Sequence, residues 1–409
     1  MKVILVLLFL WGFTHTKAQK TVVLLNSLSK DLRYLASDAL KGRGTGSPEE
    51  RTAADFIAKR FESIGLKPVK GSYLKPFNFK RTSNPHDTTA GSGTELKGYN
   101  VLGFLDNHAP YTIVIGAHYD HLGMGQDHNS LEANPEGKIH NGADDNASGT
   151  AGVIELARYF CKNQRAEAFN ILFMCFSGEE LGLLGSKKWC EQPDMPLEGI
   201  NYMINMDMIG RLNDSTQKLM VYGVGTAPDW VSLLNQVRGS LVLKLDSAGI
   251  GPSDQTSFYL KQIPVLHFFT GQHSDYHKPS DDADKINYQG EVKVLECIIR
   301  LIESTESKPK LQYLKTRTPD TGKVSFKVTM GLMPDYSFEG PGMRIDGVTD
   351  QKPAFKAGLQ KGDCIISING FPIKDVMGYM NELSKYKKGD TVEVEVERNK
   401  TRSIFKVNF

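Results

Sequence analysis

Two adjacent carboxylates, Asp144 and Asp145, stand in the stretch HNGADDNASGT (residues 140–150), where their charges repel. Similar groups recur at comparable places along the chain. The run YTIVIGA (111–117) leads into His118-Tyr119-Asp120, FNILFMCF (169–176) into Ser177-Gly178-Glu179-Glu180, and YMINM (202–206) into Asp207. IPVLHFF (263–269) is followed by a short loop to Tyr276-His277. Each apolar run thus ends near a His or a carboxylate. In open α/β sheets the ligand crevice lies outside the carboxyl ends of the strands, so these side chains can meet in one place. Gathered there, the carboxylates would carry an excess of charge that a pair of divalent cations can neutralise. The balance suits two zinc ions. Two neutral imidazoles, two terminal carboxylates and one bridging carboxylate leave a single positive charge for a hydroxide. One Asp of the pair can then bridge the metals while the other is spare.

Every member also has a plainer reading. His118 and His277 could be ordinary strand-end and loop histidines, and Asp144 and Asp145 could be turn formers and a helix cap. Ser177-Gly178-Glu179-Glu180 matches a capping box, and Asp207 could cap the residues after it. Five such groups at strand ends are hard to explain as five independent caps. His121, His140 and His273 stand close enough in sequence to compete as ligands.

The elements that must hold these groups are legible in the hydrophobic pattern. RTAADFIAKRFESIGLKP has Ala53, Ala54, Phe56, Ile57, Phe61 and Ile64 at helical spacing and a stop at Gly65 with Pro68 beyond. Residues 82–98, rich in Ser, Thr, Gly and Asn, read as a loop. Beyond them the apolar runs named above, together with LMVYG (219–223), alternate with helical stretches at Ala147–Phe160 and Glu291–Glu303. Continuous apolar strands alternating with helices predict a three-layer αβα sandwich with a mixed, mainly parallel central sheet. Near Lys308 the pattern changes. The polar, proline-bearing SKPKLQYLKTRTPDTGK reads as a linker, and short alternating strands such as TVEVEVER (391–398), with one helix near Val376–Tyr386, form a small β-rich domain. The predicted organisation is a catalytic domain over 19–307, a linker over 308–322 and the small domain over 323–409.

Composition sets outer bounds. The 409 residues carry 49 Lys plus Arg against 47 Asp plus Glu, a near balance that offers nucleic acid or an anionic membrane no electrostatic footing. Lys2, the apolar run Val3–Phe13 and Thr16-Lys17-Ala18 read as a cleavable export signal over residues 1–18, which implies a periplasmic or secreted protein. No run approaches the ~20 apolar residues that span a bilayer, so no stable membrane insertion is expected. The five cysteines fall in no metal-finger spacing; a Cys161–Cys190 disulfide is left open.

Taken in order, GAHYDHLG, NGADDNASG, FSGEELGLLGS, NMDMIGR and DYHKPSD closely resemble the zinc aminopeptidase family with two co-catalytic metals, which also contains the glutaminyl cyclases. The segment LASDALKGRGTGSPEERTAADFIAKRFESIGLKP resembles that family's leading part. The resemblance implies that His118, Asp145 and Asp207 hold one zinc and that Asp145, Glu180 and His277 hold the other. It gives the bridge to Asp145, which immediately precedes Asn. It makes Glu179 the general base, Asp120 the carboxylate behind a ligand, expected to orient His118 through its other ring nitrogen, and Tyr276 a stabiliser of the oxyanion. MRIDGVTDQKPAFKAGLQKGDCIISINGFPI (343–373) resembles a PDZ domain of the bacterial secreted-protease type, with MGLMPDY (330–336) where such domains place the carboxylate-binding loop. That implies capture of a peptide or protein C-terminus near Gly331, Leu332 and Met333. The function so implied is hydrolysis of N-terminal residues from peptides with a free N-terminus. The rivals are a single-zinc cyclase, against which His118 speaks, and a non-catalytic peptide-binding scaffold, from which Glu179 or a ligand should be missing.

Overall fold

A computed structural model describes Val23 and residues 25–81, 94–127, 129–316, 328–334, 338, 340–348, 351–374 and 376–409. The expected export signal, and residues 317–322 of the expected linker, lie outside the described residues. Nine strands among the described residues form one mixed sheet. They are β1 (Lys67–Pro68), β2 (Leu74–Arg81), β3 (Thr94–Leu105), β4 (Thr112–His118), β5 (Asn170–Phe176), β6 (Ile200–Met206), β7 (Lys218–Tyr222), β8 (Val242–Asp246) and β9 (Val265–Phe269). The order is β1-β3-β5-β4-β6-β9-β7-β8, with β2 paired to β3. Strands β5, β4, β6 and β9 run parallel at the centre, and the antiparallel pairings lie toward the two edges.

Side chains of the central strands alternate between two cores, as a period of two requires. Ile113, Ile115 and Ala117 of β4, with Ile171, Phe173 and Cys175 of β5, join one apolar cluster. That cluster also takes residues from α1 (Leu25–Leu35), α2 (Pro48–Ile64), α3 (Gly149–Lys162), α5 (Trp230–Val237) and α7 (Tyr288–Thr305). Val114, Leu172, Met174 and Phe176 face the other way, onto Trp189 of α4 (Leu184–Glu191) and Phe258 of α6 (Gln255–Tyr259). The three-layer expectation is met. Helix α2 begins at a true cap, Ser47 accepting from the Glu50 N–H at 3.0 Å, and ends at Gly65 in the left-handed region.

One local expectation changes. Thr94–Gly98, read as part of a loop, belong to β3 and pair with Phe77–Arg81 of β2; the register with β2 overrides their polar composition. The five cysteines are free thiols. Within the stretch read as a linker, residues 311–316 lie along the first domain. The Leu311 N–H donates to Asn201, the Leu314 N–H to the Thr226 carbonyl and the Thr316 N–H to the Tyr259 hydroxyl.

The C-terminal residues form a separate antiparallel sheet that includes Met343–Val348, Cys364–Ile368, Thr391–Arg398 and Thr401–Asn408. Helices Pro353–Ala357 and Val376–Leu383 accompany it. Its core, with Ile345, Ile365, Leu383, Val394 and Val407, shares no residue with the sandwich. Among the described residues no helix is long and apolar enough to cross a membrane.

Candidate metal centre and catalytic cleft

The carboxyl ends of the parallel strands converge as the sequence pattern predicts. His118 is the last residue of β4, Asp207 follows β6, and Glu179 and Glu180 stand in the turn after β5. Asp145 comes from the short irregular coil at Ala143–Ser148 that leads into α3, and His277 from the loop after β9. Asp145 sits in the middle. Its Oδ1 lies 3.4 Å from His118 Nε2, which is also 3.4 Å from Asp207 Oδ1. Its Oδ2 lies 3.2 Å from His277 Nε2, which is 3.3 Å from Glu180 Oε2. Two triangles of donors therefore share one carboxylate, one oxygen to each side.

The spare Asp of the pair is accounted for. Asp144 Oδ1 accepts from the Gly210 N–H at 2.7 Å, and Oδ2 faces His273 Nε2 at 3.1 Å. Neither competitor is at the centre: His273 is engaged with Asp144, and His140 bonds Ser130 Oγ at 2.7 Å and the Lys138 carbonyl at 2.9 Å. His121 is there. Its Nδ1 is 2.7 Å from Glu180 Oε1 and 3.9 Å from Asp145 Oδ2, so it joins these two carboxylates in a possible ligand group of its own. His277 Nε2 is nearly equidistant from both carboxylates, whereas the His121 contact is a one-sided hydrogen bond to Glu180.

The ring orientations bear on what the centre holds. His118 Nδ1 is 3.2 Å from the Asp120 carbonyl, and His277 Nδ1 is 2.9 Å from the Asn129 carbonyl. A carbonyl only accepts, so each Nδ1 carries a proton, and in the neutral imidazole each Nε2 turns a lone pair toward two carboxylates. That arrangement repels unless positive charge lies between them. His118 Nε2 and Asp207 Oδ1 are buried and have no hydrogen-bond partner, so both atoms are free to meet a cation. Where no cation balances it, the same excess of negative charge is met by protons on the imidazoles. Burial alone would lower His118 and His277, but Asp207 and Glu179 around the first and Glu180 and Asp145 around the second hold both well above the usual histidine range. Burial would raise Asp145 and Glu180, yet the imidazoles hold Asp145 well below the carboxylate range and Glu180 at about 2.

Asp120 serves His118 by a different atom from the one expected. Its carboxylate is 3.7 Å from His118 Nδ1 because it is engaged elsewhere. Oδ2 accepts from Thr45 Oγ1 at 2.7 Å and Oδ1 from the Glu179 N–H at 3.1 Å, leaving the backbone carbonyl to hold the ring. The capping-box reading of Ser177–Glu180 fails. No helix starts there, and Ser177 Oγ donates to Glu50 Oε1 at 2.5 Å.

Glu179 lies in neither donor triangle and lines a cavity of about 290 Å³. Burial pushes its acid well above the carboxylate range; His118 opposes this, while Glu180, Asp207 and Asp254 add to it. Asp254 carried no signal in the sequence reading. It is fully buried, both its carboxylate oxygens lack a partner, and burial raises it to about 7. Tyr276 stacks on His277 with ring centroids 3.9 Å apart, and Met208, Phe269 and Tyr222 give the cavity an apolar wall. In the C-terminal domain Gly331 has a φ of 72°, and its N–H donates to Thr329 Oγ1. Leu332 and Met333 pair with Val348 and Gly347.

Residues 100–302 match peptidase family M28, and residues 319–409 match a PDZ domain. Residues 100–302 belong to the M28 peptidase family. The alkaline phosphatase isozyme conversion protein of Escherichia coli (strain K12) is 32% identical over 167 residues, which cover 41% of this chain and 46% of the relative. Leucine aminopeptidase 2 of Arthroderma otae is 25% identical over 295 residues, covering 60% of this chain and 57% of the relative. The chain thus spans about half the length of these two curated relatives. Among solved structures, a zinc aminopeptidase from Bacillus subtilis has a TM-score of 0.55 at 16% identity, covering 72% of this chain and 99% of that one. The glutaminyl cyclase of Porphyromonas gingivalis has a TM-score of 0.56 at 18% identity, covering 70% and 99%. At these identities the likeness is one of M28-type fold, shared by peptidase and cyclase alike.

Proposed function

We propose that this M28 protein is an exported metallo-aminopeptidase with a two-zinc centre. The observation that carries the reading is the shared carboxylate of Asp145, with one oxygen toward His118 and Asp207 and the other toward His277 and Glu180. His118, Asp145 and Asp207 would hold one ion, and Asp145, Glu180 and His277 the other; imidazole with carboxylate is a donor set that suits zinc. The orphaned His118 Nε2 and Asp207 Oδ1 support occupancy of the first site and argue against the single-metal cyclase reading. When bound, zinc supplies Lewis acidity and an activated water at neutral pH.

The chain's own residues then divide the work. Glu179, outside both triangles and facing the cavity, takes the proton of the attacking water on its carboxylate and delivers it to the leaving amine nitrogen. The Asp120 carbonyl keeps the proton of His118 on Nδ1, so that Nε2 points to the centre. Tyr276, which stacks on His277 and lines the cavity, is assigned the donation to the oxyanion. A cavity of about 290 Å³ is at the small end of the ~300–1,000 Å³ usual for ligand sites. It accepts one side chain, and the wall of Met208, Phe269 and Tyr222 favours an apolar one. This fits removal of a single N-terminal residue from a peptide. The PDZ domain binds a peptide or protein C-terminus by strand addition. The leading residues 1–18 direct export, with the mature N-terminus near Gln19 as the checkable product.

The deciding experiment assays the purified mature protein on free and N-acetylated aminoacyl chromogenic substrates, with metal content measured on the same sample. Turnover of the free forms alone, with about two zinc ions per chain, supports the reading. Cyclisation of N-terminal Gln peptides without release of other residues would overturn it.

A further inference from the structure

The stretch Gly42–Glu50, GRGTGSPEE, belongs to the leading segment singled out in the sequence, yet none of its residues enters the chemistry above. Its side chains nonetheless reach three of the loops that do, those that follow His118, precede Asp145 and carry Glu179 and Glu180. Arg43 is completely buried. Its Nε donates to the Tyr119 carbonyl at 2.7 Å, Nη1 to the Asn141 carbonyl at 2.7 Å and to the Leu35 carbonyl, and Nη2 to the Gly142 carbonyl at 3.0 Å. Tyr119 stands between His118 and Asp120, and Asn141-Gly142 directly precede Ala143-Asp144-Asp145. The Arg43 carbonyl accepts from the His121 N–H at 3.2 Å. Thr45, 1% exposed, donates to the Asp120 carboxylate, which also receives the N–H groups of Glu179 and Glu180 at 3.1 and 3.4 Å. Glu50, 1% exposed, accepts from Ser177 Oγ, at the head of the turn that carries Glu179 and Glu180, and from the Gly46 N–H at 2.6 Å.

Burying a guanidinium is costly and is tolerated only with its donors satisfied. Here four of those bonds end on backbone carbonyls from three segments. A planar fork that spans several carbonyls fixes their relative positions in a way a single-point ammonium cannot. The backbone fits the same role. Arg43 has a φ of 49°, and at Gly42, with a φ of 70°, an added Cβ would meet the His140 carbonyl at 2.4 Å and the Gly123 carbonyl at 2.6 Å. Both residues are held in the left-handed region, against the loops they clamp.

We propose that Gly42–Glu50 is a positioning clamp for the catalytic centre: Arg43 sets the segment that follows His118 and the one that precedes Asp145, Thr45 sets Asp120, and Glu50 sets the Glu179-Glu180 turn. The proposal rests on the peptidase reading of that centre. A clamp that only stabilised the fold would lower thermal stability without changing catalysis per folded molecule. A positioning clamp lowers kcat and metal retention ahead of stability.

The test uses Thr45→Val, Thr45→Ser and Arg43→Lys in the full chain, with kcat and KM on an aminoacyl anilide, metal loss to a chelator, and the thermal midpoint. Thr45→Val should cut kcat or metal affinity by about 10–100-fold, leave KM within about twofold and the midpoint nearly unchanged, and be rescued by Thr45→Ser. The double variant Thr45→Val/Asp120→Asn should be no worse than Asp120→Asn alone, because both act on one contact. Arg43→Lys, which keeps the charge but not the fork, should release metal faster. If Arg43→Lys fails to fold, Thr45→Val with its double variant carries the test. Wild-type kcat and metal retention in Thr45→Val, or additive losses in the double variant, would overturn the clamp. An inactive wild type that also binds no metal would instead overturn the peptidase reading.

Discussion

Glu179→Gln separates proton transfer from metal binding. The Glu179 side chain belongs to neither donor triangle, and among the described residues no hydrogen bond of the fold ends on its carboxylate. The backbone contacts of residue 179, from its N–H to Asp120 and from the Gly182 and Leu183 N–H groups to its carbonyl, do not involve the side chain. Glutamine matches the shape and removes only the proton-accepting oxygen. A positioned general base contributes ~10²–10⁴-fold, equivalent to about 3–5 kcal/mol of barrier. The variant should therefore lose at least ~10²-fold in kcat with KM within a few-fold, because the loss falls on the transition state. Its metal content should match that of the wild type. Its thermal midpoint should be equal or higher, because a buried carboxyl crowded by Glu180, Asp207 and Asp254 has been replaced by a neutral amide. Steady-state kinetics, elemental analysis and a thermal melt on one preparation supply all three readouts. Turnover within about tenfold of wild type would refute the assignment of the base, and loss of one ion per chain would make Glu179 a ligand.

The two members of the Asp pair should part company: Asp145→Asn should weaken metal retention at both sites, while Asp144→Asn, which disturbs only the Gly210 and His273 contacts, should be far milder by elemental analysis. Burial, with Asp120 adding, raises the Glu50 acid to about 8, so the folded state holds a proton that the unfolded chain releases near 4.5. That contribution is complete below about pH 4.5 and is lost as pH rises toward about 8. The thermal midpoint of Glu50→Gln relative to wild type should therefore improve from about pH 5 to about pH 8 and level off beyond, and a flat difference across that range would contradict the assignment. Truncation near Pro319, beyond the contacts made by residues 311–316, should leave dipeptide-sized substrates unaffected. It should raise KM for longer peptides with a free C-terminal carboxylate, if the PDZ domain tethers them; an unchanged ratio of long to short substrates would end the tethering idea.

Much of the centre was legible because its parts obey one rule: an apolar run, then a His or a carboxylate at the strand's carboxyl end. His118, Asp207 and Glu180 follow it directly, and Asp145 could be chosen over Asp144 only through the family resemblance. What escaped was set by distant partners. Whether Asp120 uses its carboxylate or its carbonyl on His118 depends on Thr45, 75 residues away in the chain. The S-x-x-E pattern occurs at both Ser47 and Ser177, and only the first caps a helix; at Ser177 the glutamates are held by the turn and by Asp120 instead. Strand β3 was half hidden because its outer residues pair only with β2, at the edge of the sheet, where polar composition is tolerated. His277 was chosen over His121 by the resemblance alone, and the one-sided contact of His121 with Glu180 supports that choice.

The separation of the two hydrophobic cores has a practical consequence for every stability measurement above. A chain whose sandwich residues and C-terminal sheet share no core members has no reason to unfold as a single cooperative unit. Its calorimetric trace should resolve into two heat-absorption peaks, and a chelator should move only the one that belongs to the sandwich. The second peak then serves as a built-in reference: a substitution in the cleft that shifts both has altered the sample and not the site.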